Sequence, residues 1–170
     1  MISVIVTTLN DERRLGATLA ALTPAAIDGL VREVIVADAG STDATLAMAE
    51  DSGARVLSGS VADAAAAARQ PWLLILPAGT RLQMQWEPSV QSHIRRYPEA
   101  AGWFQLNFAA DGFGARAAEA LANGAARWLG RLRPQHGLLI GARSWAQTGG
   151  RGRGLRPLGA RILVGGADLD

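Results

Sequence analysis

An aspartate at the end of a short apolar run is the residue of this sequence best placed for chemistry. Residues 34–37 predict a strand, and Asp38 follows it directly. Gly40 then permits a tight turn, and three residues can cap the next helix: Ser41, Thr42 or Asp43. Open α/β sheets bind ligands at the carboxyl ends of their strands, so Asp38 is a candidate to accept hydrogen bonds from a nucleoside. The alternative is an ordinary strand–turn–helix unit in which the aspartate is only a helix cap.

Strands and helices alternate on both sides of this unit. Apolar runs predict strands at 1–8, 34–37, 55–57, 72–76, 103–109, 137–140 and 161–164. Spacing and caps predict helices that end at Pro24 and before Gly53, and further helices through 60–70, 90–97, 113–128 and 143–148. Residues 24–30 and 149–159 are predicted to be loops. This alternation predicts one α/β domain with a mostly parallel, twisted sheet and helices on both faces.

The composition excludes several kinds of site. A length of 170 residues suits one domain with a substantial core, and the absence of cysteine excludes disulfides, thiolate metal sites and cysteine nucleophiles. No apolar stretch approaches the roughly 20 residues that span a bilayer. The chain starts with a predicted strand and no basic segment precedes it, so no signal peptide is expected. A cytoplasmic location is the resulting expectation.

All 17 basic residues are arginines, and their distribution is uneven. No acid occurs between Glu119 and Asp168, an interval that contains Arg127, Arg131, Arg133, Arg143, Arg151, Arg153, Arg156 and Arg161. Such a block could face phosphate, an anionic membrane surface or nucleic acid. The alternative is a compositional bias of the kind that a high-GC bacterial genome produces, which raises arginine everywhere.

Three segments, in this order and spacing, resemble glycosyltransferase family 2, whose members have the GT-A fold. They are residues 2–12 (ISVIVTTLNDE), 36–45 (VADAGSTDAT) and 73–82 (LLILPAGTRL). The resemblance is good over residues 1–110 and weaker from Gln135 to Gly150. It implies a nucleotide-sugar as partner, a nucleotide-binding half at 1–110 and a reduced acceptor-side half at 111–170.

The resemblance also implies where a nucleotide-sugar would bind. In the family, the end of the first strand and the acid after the second hold the base and the ribose. The corresponding residues of this sequence are Thr8, Leu9, Asn10, Asp11 and Asp38. A carboxylate accepts hydrogen bonds from a base N–H or a sugar hydroxyl, and backbone groups can frame the ring. Asp38 is the strongest single candidate for a ligand contact.

Members of the family normally have an acidic turn after the central strand, the DXD-type motif, which binds Mg²⁺ or Mn²⁺ across the donor diphosphate. The corresponding turn is 77–80 (PAGT), with Ala78 and then Gly79 at the position of the metal-binding aspartate. Hard cations need oxygen ligands. A degenerate DXD motif without a bound metal is therefore expected, unless another acid such as Asp63 restores the site. Asp63 belongs to the segment that replaces the family's Asn-Ala-Gly-like sequence near the nucleotide.

The resemblance implies no catalytic residue. Inverting members use a carboxylate as general base after a Gly-Gly pair, but residues 151–157 (RGRGLRP), which follow Gly149 and Gly150, contain no acid. His136 stands where relatives often have an acid. It is open to three interpretations: a base, a phosphate ligand, or simply a solvated or capping residue. Trp86 and Trp145 are open to stacking on a sugar, and core packing is expected for Trp72, Trp103 and Trp128.

These observations favour two functions, with a third behind them. The first is a non-catalytic relative that keeps the nucleotide pocket, or only the fold. The second is an active, metal-independent transferase whose arginines stabilise the leaving diphosphate, with Arg81, Arg151 or Arg153 in that role. The third is a protein that binds nucleic acid or an anionic membrane surface through its C-terminal arginines. No nucleic-acid motif supports a nucleic-acid partner, so peripheral membrane contact is the form of it that stays open. Because the chain is short for the family, a homodimer could complete the acceptor side.

Overall fold

A computed structural model describes residues 1–108, 113–129, 134–150 and 154–164 of the chain. The strands are β1 (Ile2–Thr8), β2 (Val31–Asp38), β3 (Arg55–Ser58), β4 (Trp72–Pro77), β5 (Arg81–Leu82), β6 (Gly102–Phe108), β7 (Leu138–Gly141) and β8 (Arg156–Val164). The helices are α1 (Glu12–Ile27), α2 (Thr45–Asp51), α3 (Val61–Ala67), α4 (Trp86–Arg96), α5 (Phe113–Leu129) and α6 (Ala142–Thr148), with a 3-10 turn at Pro134–His136.

The strands form one sheet in the order β3-β2-β1-β4-β7-β6-β8-β5. The first four strands of this order are parallel to one another. β7 is antiparallel to both β4 and β6, and β8 runs parallel to β6. The predicted mostly parallel sheet is therefore confirmed, with β4 near its centre.

Helices cover both faces of the sheet. Alternate residues of a strand point to opposite faces, and accordingly Val4 and Val6 belong to one apolar cluster while Ile5 belongs to the other. The first cluster includes Leu15 of α1 and Val90 of α4, and the second contains alanines of α3. Each fully buried aliphatic side chain contributes about 1.5–3 kcal/mol. In the described part of the chain, no helix is long and apolar enough to cross a membrane.

Three parallel strands end together at one edge of the sheet. In register, Thr8 of β1 lies beside Asp38 of β2, and Thr7 lies beside Pro77 of β4. The connections after these strands are consequently neighbours. We call residues 8–12 and 38–45 the paired loops, and residues 77–80 the β4 turn.

The structure corrects the sequence-based boundaries in three places. Helix α1 continues through Pro24 to Ile27, because proline near the helix end removes only one N–H and its carbonyl still accepts the Asp28 N–H at 3.0 Å. Helix α3 ends at Ala67, short of the predicted residue 70. Strand β8 begins at Arg156, inside the predicted loop 149–159, because that segment pairs with β6.

Candidate functional site

The Asp38 carboxylate binds the turn that follows it. Asp38 is 2% exposed, and its Oδ2 accepts the Gly40 N–H at 2.9 Å and the Ser41 N–H at 2.8 Å. Its Oδ1 accepts the Ser41 hydroxyl, which in turn accepts the Asn10 N–H of the other loop at 2.8 Å. A carboxylate offers about four acceptor positions. One position, on Oδ1, is left by these contacts.

The environment of Asp38 keeps it ionised. Burial is the largest single influence and acts to raise the pKa, because it penalises the charged form. The Ser41 hydroxyl and the N–H groups of Ser41 and Gly40 together outweigh burial and hold the pKa below its ordinary value. At neutral pH the carboxylate is therefore an anion that can only accept hydrogen bonds.

The hydrogen bonds from the Asn10 N–H to the Ser41 hydroxyl and from that hydroxyl to Asp38 form a first relay between the paired loops. A second relay joins the same loops. The Asp11 N–H donates to the Thr45 hydroxyl at 2.9 Å, and that hydroxyl donates to the Asp43 carboxylate. Asp43 also accepts the Thr45 N–H at 3.0 Å and the Glu12 N–H at 3.2 Å. Ala44 occupies the N-cap position of α2, so Asp43, one of the predicted capping residues, serves the first turn from one position earlier. Asp38 does not cap this helix.

Further contacts run between the loops in the opposite direction. Asn10 has a left-handed φ of 55°, which asparagine tolerates better than most residues, and its Oδ1 accepts the Thr42 N–H at 2.9 Å. Glu12 accepts the Ala44 N–H at 3.2 Å. Each loop therefore donates to and accepts from the other, so the two form one fixed unit.

The predicted nucleotide-binding residues do lie together at this edge, but most of their polar side chains serve the loops themselves. The Asp11 carboxylate accepts the Leu9 N–H at 3.0 Å and the Thr8 hydroxyl at 3.3 Å. Asn10 holds the other loop, as described above. Leu9 is the exception, since its side chain is 53% exposed. The edge thus presents one apolar side chain beside a buried anion.

The β4 turn has a different construction. Gly79 has φ +88°, a left-handed conformation that favours glycine. The Thr80 hydroxyl donates to the Pro77 carbonyl at 2.6 Å, and the Thr18 hydroxyl of α1 donates to the Thr80 carbonyl at 3.2 Å. The turn is therefore closed by its own backbone and by α1. Arg81 follows it directly and pairs with Leu163 in the sheet.

An arginine of α1 lies next to the position at which an acidic side chain of this turn would start. A Cβ added to Gly79 would lie 3.3 Å from Cδ and 3.5 Å from Cβ of Arg14. Arg14 and the β4 turn also line a cavity of about 120 Å³, with Gln135, Ile162 and Leu163 on the other side. The sequence does not distinguish Arg14 from its neighbour Arg13, because both have the same charge and nothing local shows which of them faces the turn.

A larger cleft of about 470 Å³ lies on the other side of the β4 end. Its lining is Thr7, Val61, Ile75, Leu76, Pro77, Gly137, Leu138, Trp145, Gly149 and Gly150. A Cβ added to Gly150 would lie 2.5 Å from the indole ring of Trp145, so this glycine allows the ring to approach the backbone. The cleft is mainly apolar, and its described lining residues include no carboxylate.

The β4 turn does not fit the Mg²⁺ or Mn²⁺ that the fold family implies. Its residues supply no carboxylate, and the Arg14 stem lies 3.3 Å from the position that the Cβ of an acid at Gly79 would have. Within the described ranges there is no cluster of three or more His, Asp or Glu residues that could share a metal ion. Asp63 does not restore the site, since its carboxylate accepts the Ser60 N–H at 2.9 Å in a capping box at the start of α3.

Other candidate residues have structural positions. His136 is fully buried with its ring edge-on to Trp103 at 5.4 Å, so its interpretation as a solvated residue is wrong. Trp86 is 2% exposed and contacts Phe104, and it is therefore a core residue and no sugar platform. Trp145 remains at the cleft. Arg151, Arg153 and the Trp128 side chain lie outside the described residues.

The parallel half-sheet and its mixed second half have the GT-A architecture. The structure is similar to glucosyl-3-phosphoglycerate synthase from Mycobacterium tuberculosis in complex with Mn²⁺, UDP and glucosyl-3-phosphoglycerate, with a TM-score of 0.59 and 22% identity over 84% of this chain and 57% of that one. A mycobacterial protein superposes with a TM-score of 0.65 and 19% identity, covering 97% of this chain and 65% of the other. At such identities the likeness shows the fold alone.

The sequence defines the family. Residues 3–119 match Glycosyl transferase family 2, so the chain belongs to that family. The match includes the paired loops and the β4 turn. Over 57 residues the chain is 47% identical to glucosyl-3-phosphoglycerate synthase of Mycobacterium tuberculosis. This segment is 34% of this chain and 17% of that protein. This chain thus matches only a minor part of its curated relative.

Proposed function

We propose that this protein binds a nucleotide-sugar at the edge formed by the paired loops and the larger cleft, and that it does not transfer the sugar by itself. The observation that carries the proposal is the fixed anion of Asp38, with one acceptor position left, beside the exposed Leu9. Family membership supports it. So do the fold neighbours, which have been solved with UDP and with UDP-glucose.

The two surfaces suit the two ends of such a ligand. A nucleobase can pack on the apolar Leu9 side chain, while a base N–H or a ribose hydroxyl donates to Asp38. A hexose can stack on the Trp145 indole in the larger cleft, since aromatic rings pack against the apolar faces of sugars. Pro77 lines both this cleft and the smaller cavity, so the ligand would pass across the end of β4.

The absence of transfer is proposed from the chemistry of the cleft. Deprotonating an acceptor hydroxyl needs a general base within hydrogen-bond reach. In the part of the chain that the structure describes, the residues lining the larger cleft include no carboxylate and no histidine. His136 is fully buried in the core. We therefore expect binding without turnover unless a second copy of the chain or another protein supplies the acceptor side.

Calorimetric titration tests the binding. UDP-glucose and GDP-glucose would each be added to the protein, with EDTA and with Mn²⁺, while release of free UDP or GDP is followed in parallel. We expect saturable binding of one of them and no nucleotide release. Leu9→Ser should weaken binding about threefold to tenfold, because it removes apolar contact area. Leu121→Ser is the matched control, since Leu121 is 74% exposed on α5. No binding under any condition would contradict the proposal.

The same assay decides the alternative, an active transferase that works without metal. Arg81 directly follows the β4 turn and is the described arginine of the three predicted for that role. Release of UDP from UDP-glucose in EDTA, lost in Arg81→Gln and kept in Arg32→Gln, would establish transfer or hydrolysis in place of simple binding. Unchanged UDP-glucose after prolonged incubation is the result that we expect.

A further inference from the structure

The side chain of Arg14 and the backbone of Gly79 are in direct contact. A Cβ at Gly79 would have the Cδ, Cβ and Cγ of Arg14 at 3.3, 3.5 and 3.8 Å. At the shortest of these distances the Arg14 stem would have to move by a few tenths of an ångström, so a side chain at Gly79 would displace the arginine from its present position. The glycine therefore does more than permit φ +88°: it makes room for the arginine.

The cavity beside this contact has the charge of an anion site. Among the described residues that line it, Arg14 is the one with an ionisable side chain; the other described residues are Pro77, Ala78, Gly79, Thr80, Gln135, Ile162 and Leu163. A guanidinium offers N–H donors in a planar fork that matches two phosphate oxygens. A divalent cation placed at the same turn would meet no carboxylate from the described lining residues and would face the like charge of Arg14.

We propose that Arg14 binds the diphosphate of the nucleotide at the β4 turn, in the place of a divalent cation, so that nucleoside diphosphates bind this protein without metal. The proposal rests on the function proposed above. The relative positions of the loops support it, since Thr7 lies beside Pro77 in register and the β4 turn adjoins the paired loops. A nucleoside on the paired loops would direct its phosphates toward the end of β4.

Neighbouring arginines do not have this position. Arg13 precedes Arg14 on α1 and is exposed like Arg14, but it is not among the described residues that line the cavity. Arg14→Met keeps most of the aliphatic stem against Gly79 and removes the charge, whereas Arg13→Met makes the same chemical change outside the cavity. The two variants therefore separate phosphate binding from the general effect of losing one positive charge.

The experiment titrates three proteins with two ligands by calorimetry. The proteins are wild type, Arg14→Met and Arg13→Met. UDP and uridine are added to each of them in EDTA, and UDP is added again in excess Mn²⁺. If GDP binds more tightly than UDP, GDP and guanosine replace UDP and uridine. We expect Arg14→Met to weaken UDP binding at least about tenfold, since a charge-assisted contact is lost. Uridine binding should be unchanged, and Arg13→Met should match wild type. Mn²⁺ should leave the affinity of wild type for UDP within about twofold.

Each other outcome has a definite meaning. Equal UDP affinity in Arg14→Met and Arg13→Met, or a tenfold gain from Mn²⁺ in wild type, overturns the inference and leaves the proposed function in place. Absence of both uridine and UDP binding in wild type overturns both. Uridine binding also reports folding of the variants, and if Arg14→Met fails to bind it, Arg14→Lys takes its place. Lysine keeps the charge and loses the planar fork. We therefore expect Arg14→Lys to bind UDP more weakly than both wild type and Arg13→Met, and an affinity equal to theirs would overturn the inference.

Discussion

The paired loops and the β4 turn lie at the same edge of the sheet and are built on opposite principles. In the loops, carboxylates of Asp38 and Asp43 receive hydrogen bonds from hydroxyls and N–H groups, several of them from the other loop. The β4 turn has no acid, and its Gly79 makes room for an arginine stem. In the proposed function, the loops that would hold the nucleoside are fixed by carboxylates. The turn that would face the diphosphate has no carboxylate and has an arginine beside it.

Removing the anion of the first relay should have the largest effect on stability. Asp38→Asn replaces one acceptor oxygen of a buried side chain by a donor that faces the N–H or hydroxyl donors of Gly40 and Ser41, so we expect a loss of about 3 kcal/mol in the free energy of unfolding. Urea denaturation measures it. Asp63→Asn is the matched control, because Asp63 also accepts N–H and hydroxyl bonds but on an exposed helix cap. A loss no greater than that of Asp63→Asn would show that the paired loops are not fixed by Asp38.

Filling the space at Gly79 should cost stability without creating a metal site. We expect Gly79→Ala to lose about 1–2 kcal/mol from its left-handed backbone, and more from contact with Arg14. Gly53→Ala provides the backbone cost alone, since Gly53 has φ +75° and nothing within 4 Å of an added Cβ. In an Arg14→Ala background the two alanine substitutions should cost the same. A persistent difference would contradict the proposed exclusion between the Gly79 side chain and Arg14.

Breaking the second relay should have a smaller effect. Thr45→Val keeps the shape of a fully buried side chain but leaves the Asp11 N–H and the Asp43 carboxylate without that hydroxyl, so we expect a loss of about 1–2 kcal/mol. Thr23→Val is the control, because the Thr23 hydroxyl is exposed and donates only within its own helix. Chemical denaturation of both variants gives the comparison. Equal stability of the two would mean that the second relay does not hold the loops.

The two regions should also differ in their response to acid. The pKa of Asp38 is lowered in the folded protein, so its stabilising effect is present above the ordinary pKa of 3.8 and is lost as the pH falls through the lowered value. The stability difference between wild type and Asp38→Asn should therefore shrink below pH 4. The difference for Gly79→Ala should stay constant, because the β4 turn has no titrating group. Unfolding curves between pH 2 and pH 7 measure both, and the opposite pattern would contradict the account.

Local sequence patterns predicted the elements that place the edge. The apolar runs of β1, β2 and β4, and the acid and glycine after β2, gave the strands, the position of Asp38 and the fold. Local rules were least reliable where tertiary contacts decide. Pro24 lies within α1, and β5 exists because its two residues pair with β8.

The contacts that define the site could not be predicted in this way. The Asn10–Ser41 and Asp11–Thr45 bonds join residues separated by 31 and 34 positions, and the contact of Arg14 with Gly79 spans two separate elements. The individual residues are ordinary turn and helix residues, so neither composition nor spacing shows that they meet. Burial of Trp86 and His136 was hidden for the same reason, because α4 and the 3-10 turn pack onto β6 only in the folded chain.

The contrast between the paired loops and the β4 turn is tested most directly by crystals grown with UDP and Mn²⁺ and measured at wavelengths on both sides of the manganese edge. We expect electron density for the nucleoside beside Leu9 and Asp38 and for the diphosphate against Arg14. We expect no anomalous peak within about 2.5 Å of a protein oxygen of the β4 turn. A manganese ion coordinated by oxygens of residues 77–80, with Arg14 turned away from the phosphates, would contradict it.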